Sequence, residues 1–274
     1  MRSPEGLLRR VLTAAVLLAV FLAALLLLDK RYFGSLVAAA LVIAGHEWGR
    51  LAGLGARAAL LYGVAIGVVV GAIAWAPNAG ASLRDALLGA GVVFWLLLAP
   101  AWLRYGVGRS GRLTLAAAGV FALVLAAFAA LFLPAGQLLL VLGLVWLADT
   151  AAYFAGNAYG RRRLAPSISP GKTWEGAAGA AAATLIYAII CALPGAPLGP
   201  YVKGATWAAY LAGAVLLCGV SVVGDLFESA LKRRAGAKDS GSLLPGHGGV
   251  LDRIDSVMST LPIAAMLLHL LARS

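Results

Sequence analysis

Apolar runs separated by short polar breaks occupy almost the whole chain. They fall at 11–28, 33–49, 58–76, 86–103, 113–133, 137–157, 173–193, 207–224 and 254–271. Several are long enough to cross roughly 30 Å of hydrocarbon as helices. The pattern predicts an all-α, polytopic transmembrane helical bundle of about nine spans. The run 33–49 contains His46 and Glu47, and the runs 207–224 and 254–271 pass directly into charged segments. Arg9 and Arg10 before the first run resemble the start of a cleavable targeting peptide, but the run continues to Leu28. Asp29-Lys30-Arg31 then follows in place of a small-residue cleavage site, so a first span is expected. No fixed-period repeat or linker divides the chain. Residues 1–133 read as N-terminal transmembrane helices and 134–274 as a C-terminal transmembrane region carrying the polar motif loops.

Composition agrees with the pattern: 62% of residues are hydrophobic and 12% charged, against about half and a quarter in soluble domains. A net charge of +11 raises the question of nucleic acid, yet the placement of the cations answers it differently. With nine spans and an inner N-terminus, 17 of the 22 Lys and Arg residues fall on inner segments, leaving Lys30, Arg31, Arg84, Lys203 and Arg273 outside. That is the positive-inside bias of a membrane protein, and it places the C-terminus outside. No nucleic-acid partner is expected. Cys191 and Cys218 stand singly in apolar runs and read as packing residues, not as a disulfide or zinc site.

Only 158–173 and 225–255 are long and polar, and both fall on the predicted inner side. In the second, positions 225, 228, 229, 232 and 233 share one helix face that begins with Asp225 and ends with Lys232 and Arg233. Taken alone, such a face is an interfacial helix with internal ion pairs. The loop that follows is chemically denser, with Lys238-Asp239-Ser240-Gly241, then Gly246-His247-Gly248-Gly249, then Asp252-Arg253-Ile254-Asp255. Glycines there would let backbone N–H groups and His247 approach a phosphate. Asp252 and Asp255, one turn apart, would join Asp225 as three hard oxygen donors suited to Mg²⁺, with Arg253 as a fork for phosphate oxygens. The bland alternative for Asp252 is a helix N-cap.

A second cluster starts inside an apolar run, where Asp149, Tyr153 and Asn157 line one face. An acid in a span is expensive and marks a cavity or bundle interior. Further on, Ser169 and Pro170 read as a helix start that places Lys172 in the first turn, where a cation opposes the helix dipole and needs an anionic partner. Arg161, Arg162 and Arg163 read as an inner-face anchor. No partner can be chosen for His46 or Glu47, which read as interfacial, and His269 reads as an outer boundary residue.

Residues 229–255, SALKRRAGAKDSGSLLPGHGGVLDRID, resemble the hallmark segment of the phosphatidate cytidylyltransferases, or CDP-diacylglycerol synthases. The blocks from Ala148-Asp149-Thr150 to Gly156 and from Ser169 to Gly176 are also similar, so the resemblance spans about 143–260. Gly171 stands where the family commonly has lysine, and Ala151 where it commonly has glycine. The resemblance implies transfer from CTP to phosphatidate, giving CDP-diacylglycerol and pyrophosphate, with Mg²⁺ and a second, monovalent cation such as K⁺. It assigns Asp225, Asp252 and Asp255 to metal, and Lys172, Lys232, Arg233, Lys238 and Arg253 to phosphates. Asp149, Ser169, Ser229, Asp239 and His247 complete the substrate pocket. Asp225, Lys232, Asp252 and Asp255 are the expected catalytic set. A homodimer in the cytoplasmic membrane of a bacterium, with its site facing the cytoplasm, is the implied setting. Two rival classes are a CTP-dependent lipid-alcohol kinase and a transporter of an anionic solute. The one-sided clustering of the polar loops and the lack of repeats speak against the transporter.

Overall fold

The computed structural model describes residues 4–76, 80–243 and 248–273. Among them the helices are α1 (Pro4–Leu27), α2 (Lys30–Leu51), α3 (Ala56–Trp75), α4 (Ala81–Val93), α5 (Ala99–Tyr105), α6 (Arg112–Phe132), α7 (Ala135–Tyr159), α8 (Trp174–Cys191), α9 (Thr206–Arg234) and α10 (Leu251–Leu271). A π-helical turn, Phe94–Leu98, joins α4 to α5. It ends two residues before Pro100, which lacks the N–H needed to continue a regular ladder. Counting that run as one, each of the nine predicted spans corresponds to one helix. Seven of the described helices are long and apolar enough to cross a membrane, from α3 onward. In α1 the apolar stretch so described is Leu18–Leu27, and α2 carries Lys30, Arg31, His46, Glu47 and Arg50.

Small residues let neighbouring helices touch backbone to backbone. A Cβ at Gly63 would lie within 2.3 Å of the Val42 carbonyl oxygen, so α2 and α3 pack as a close antiparallel pair. Gly224 does the same for α9 and α10, where a Cβ would meet the Asp255 carbonyl oxygen at 2.4 Å. The aromatic core lies on the other side of α9. Phe227, fully buried, is surrounded by Trp48, Phe94, Trp95 and Trp102 with ring centroids 5.8–6.2 Å away. This anchor fixes the rotation of α9 and turns Asp225 toward α10 and the segment that precedes α8.

The segments predicted to be inner meet at one end of the bundle. Arg233 Nε donates to the Ile168 carbonyl at 3.1 Å, and Arg234 donates to the carbonyls of Ala52 and Ser110 at 3.3 and 3.1 Å. At the opposite end, Arg84 contacts Asp85 and His269. Cys191 and Cys218 are buried and unbridged.

One local expectation is overturned. Ser169 and Pro170 do not start a helix. Ser169–Thr173 is β2, which pairs antiparallel with β1 (Arg163–Ala165) in a two-stranded hairpin. Helix α8 starts at Trp174, capped by Thr173, whose Oγ1 accepts the Gly176 N–H at 3.1 Å. The cause is Glu175, whose carboxylate accepts the backbone N–H groups of Arg161 and Arg162 at 3.0–3.3 Å and folds the preceding chain back. Pro170 is tolerated because a two-stranded hairpin is all edge.

Candidate active site

The helix ends at the face bearing the hairpin carry a cluster of acids around two lysines. Lys172 Nζ lies 2.5 Å from Asp225 Oδ2. The helix dipole therefore does not account for Lys172, which precedes the cap of α8; the carboxylate across on α9 does. Ser229, one turn further along α9, donates to Asp225 Oδ1 at 3.2 Å. Asp149 on α7 is within electrostatic reach of Lys172 and Asp225. Asp255 on α10 interacts with Asp225 and Asp149. Deeper in the same region, Lys232 Nζ bridges Glu228 Oε2 at 2.5 Å and Asp252 Oδ1 at 2.6 Å. Five carboxylates thus surround two ammonium groups, a formal excess of three negative charges at a membrane boundary. Such an excess is costly unless cations or bound protons offset it.

Asp252 has a different role from its neighbours. Its Oδ2 accepts the N–H of Ser240 at 2.9 Å, the N–H of Gly249 at 2.8 Å and lies 2.8 Å from Ser240 Oγ, while Oδ1 holds Lys232. Oδ1 thus ties α10 to α9, and Oδ2 ties Ser240 and Gly249 to the start of α10. Gly249 spends its N–H there also.

Mg²⁺ is implied by the donor chemistry, and the residues fit it in part. Among the described residues no three His, Cys, Asp or Glu side chains converge as a ready metal cage, and Asp252 is already saturated. Asp225 and Asp255, two mutually repelling carboxylates, suit an ion that takes one or two protein carboxylates and completes its shell with phosphate oxygens and water.

The remaining expected residues are spread around this cluster. Arg233 is exposed and tied to the hairpin turn. Lys238 and Asp239 are exposed on the loop after α9, and Ser169 is half-buried in β2. Arg253 is exposed on α10. His247 lies outside the described residues.

A family model for the cytidylyltransferase family matches residues 8–271. The chain is a member of the cytidylyltransferase family. The phosphatidate cytidylyltransferase of Pseudomonas aeruginosa is 39% identical over 273 residues, covering 95% of this chain and 96% of its own. That of Brucella suis is 44% identical over 200 residues, 68% of this chain and 66% of its own. That of Bacillus subtilis is 45% identical over 127 residues, 46% of this chain and 45% of its own.

Two acids of this family member escaped the reading by pattern. Glu47, 5% exposed, accepts the N–H groups of Val250 and Leu251 at 3.1 and 2.8 Å and contacts Ser240 Oγ at 3.2 Å. It is the anion at the N-terminus of α10. Glycines make room for it, since a Cβ at Gly241 would sit 2.3 Å from Glu47 Oε1 and one at Gly249 2.6 Å away. The only signal was an acid inside an apolar run, and sequence offered no partner roughly two hundred positions distant. Glu228, with no exposed surface, was legible only as one position on the shared face of α9.

Proposed function

We propose that the chain transfers the cytidylyl group of CTP to phosphatidate. A phosphate oxygen of phosphatidate attacks the α-phosphorus, the bond from the α-phosphorus to the bridging oxygen breaks, and pyrophosphate leaves. The full-length match to the similarly sized Pseudomonas aeruginosa protein carries this reading. Charge and placement support it. The acid-rich cluster lies at the end of a membrane bundle, where a water-soluble nucleotide and a lipid can meet.

The attacking phosphate is already ionised at neutral pH, so no enzyme nucleophile or general base is required. Lys172 is placed to move from Asp225 onto a phosphate oxygen, and Lys232, held by Glu228 and Asp252, sets the positive potential beneath the loop. Arg233, Lys238 and Arg253 supply further cationic contacts at the exposed rim, with Asp149, Ser169, Ser229, Asp239 and His247 completing the pocket. Asp225 and Asp255 would hold a Mg²⁺ ion, which would supply charge neutralisation for the triphosphate; a monovalent cation such as K⁺ would offset more of the acidic excess. The site faces the cytoplasm of a bacterial inner membrane, and the chain assembles as a homodimer. The test is Mg²⁺-dependent release of pyrophosphate from CTP by purified, reconstituted protein. Release that requires added phosphatidate supports the proposal, and release of CDP instead overturns it.

A further inference from the structure

The root of the hairpin between α7 and α8 carries three adjacent arginines that the acidic cluster does not use. Helices α7 and α8 run against each other here. A Cβ at Gly179 would lie 2.4 Å from that of Ala155, and one at Gly176 2.8 Å from the Ala152 carbonyl oxygen. The last residue of α7, Tyr159, and the first of α8, Trp174, therefore leave the bundle at one level, 73% and 60% exposed. Exposed Tyr and Trp at the ends of two spans mark the depth of lipid headgroups. Arg161, Arg162 and Arg163 follow Tyr159 across Gly160, and all three are exposed.

The hairpin does not need these guanidinium groups. Its root is closed by backbone: the Arg161 and Arg162 N–H groups donate to Glu175, and the Trp174 N–H donates to the Arg162 carbonyl at 3.0 Å. Among the described residues none of the three side chains forms an ion pair. Glu175 is the acid within electrostatic reach of Arg162, so three positive charges less one leave the corner cationic. A cavity of about 450 Å³ opens there, lined by Ala158, Tyr159, Gly160, Arg161 and Glu175.

We propose that this corner is a docking site for anionic headgroups of the surrounding bilayer, with the arginines on the headgroup phosphates and Tyr159 and Trp174 seating the lipid at the interface. Such lipid is bound and not consumed, so the site is independent of the proposed reaction. Charge complementarity selects the occupant: guanidinium forks match phosphate oxygens, and an uncompensated cationic corner at headgroup depth favours lipids with a net negative charge over zwitterionic ones. The docking also bears on Lys172. Arg163 pairs with Thr173 across the hairpin, next to the lysine that reaches Asp225. The far end of the hairpin is already tied to α9 by Arg233 at the Ile168 carbonyl, so lipid at the root restrains the strand carrying Lys172 from both ends.

The test uses full-length protein in nanodiscs of phosphatidylcholine, with or without about one-third phosphatidylglycerol. Combining Arg161→Gln, Arg162→Gln and Arg163→Gln removes three charges and keeps every backbone N–H that holds Glu175. Combining Arg161→Lys, Arg162→Lys and Arg163→Lys keeps the charge. Native mass spectrometry reads the ratio of phosphatidylglycerol to phosphatidylcholine retained, and hydrogen–deuterium exchange reads the segment 160–173. Wild-type protein should retain phosphatidylglycerol in preference, and its exchange over 160–173 should slow about tenfold when that lipid is present. The glutamine variant should lose the preference by about tenfold and exchange alike in both bilayers, while the lysine variant stays within about threefold of wild type. Equal retention of the two lipids by wild-type protein, or an unchanged preference in the glutamine variant, would overturn the proposal. A lysine variant as impaired as the glutamine one would assign the effect to damaged folding, with the same consequence. So would inorganic phosphate that slows exchange equally in phosphatidylcholine alone, which would make the ligand a soluble anion. A raised KM for CTP in the glutamine variant with lipid preference intact would assign the arginines to the nucleotide and also overturn the docking site.

Discussion

Glu47 offers the sharpest test of how the loop is held. Its carboxylate accepts two backbone N–H groups, from Val250 and Leu251, and shares the Ser240 hydroxyl with Asp252. Ser240 has a single proton, so only the two backbone bonds are counted. Hydrogen bonds to a charged acceptor contribute about 1.5–3 kcal/mol each, so Glu47→Ala should release the start of α10 at a cost of about 3–6 kcal/mol. If the loop opens locally, that energy becomes a roughly 10²–10⁴-fold acceleration of amide exchange at Val250 and Leu251. Glu47→Gln keeps the shape but turns an NH₂ toward one of the two donors, so it should lose about half of that energy. Hydrogen–deuterium exchange over 240–252 in detergent, alongside turnover, reads both effects. Gly249→Ala supplies an independent check, because its Cβ would intrude on the same carboxylate and should speed exchange in the same segment. A merely interfacial Glu47 would behave as an exposed polar residue, within about 0.5 kcal/mol of neutral. Unchanged exchange and full turnover in Glu47→Ala would refute the clamp.

Asp225→Asn should collapse turnover about 100-fold or more and recover in part at raised Mg²⁺ or Mn²⁺, whereas Asp252→Asn should lose turnover without metal rescue, because it breaks the loop closure; metal titrations of both variants at matched expression distinguish the two. Lys172→Ala should raise KM for CTP or lower kcat at least tenfold, since Gly171 offers no neighbouring cation, and unchanged kinetics would remove Lys172 from the site. A reporter after Ser274 should appear outside and one inserted near Arg162 inside; both on one side would contradict the orientation drawn from the cation distribution.

The helices were legible because hydrophobic run length is a local property, and each apolar run became one helix, although α1 begins at Pro4, before its run, and α9 continues past its run to Arg234 through the charged face. The hairpin at 163–173 was not, because Ser169-Pro170 is a good helix-start pattern and the side chain that redirects it, Glu175, acts through backbone N–H groups more than ten residues away. Motif spacing brought out Asp225, Lys172 and Asp149, which the fold gathers from two helices and a strand. Spacing also grouped Asp252 with Asp255, although adjacent turns of α10 give them opposite employment: one is saturated by the loop and Lys232, the other faces the acids. Glu47 lay beyond reach, since its partners follow it by roughly two hundred residues and are backbone groups that carry no side-chain signature.

Labelled CTP tests the central claim most directly, since the position of the transferred phosphorus separates nucleotidyl from phosphoryl transfer. Reconstituted protein given phosphatidate, Mg²⁺ and CTP labelled at the α-phosphorus should place the label in lipid, and CTP labelled at the γ-phosphorus should place it in pyrophosphate. Lipid labelled from the γ position, or α-label that stays in a soluble nucleotide while phosphatidate is present, would contradict cytidylyl transfer by this site.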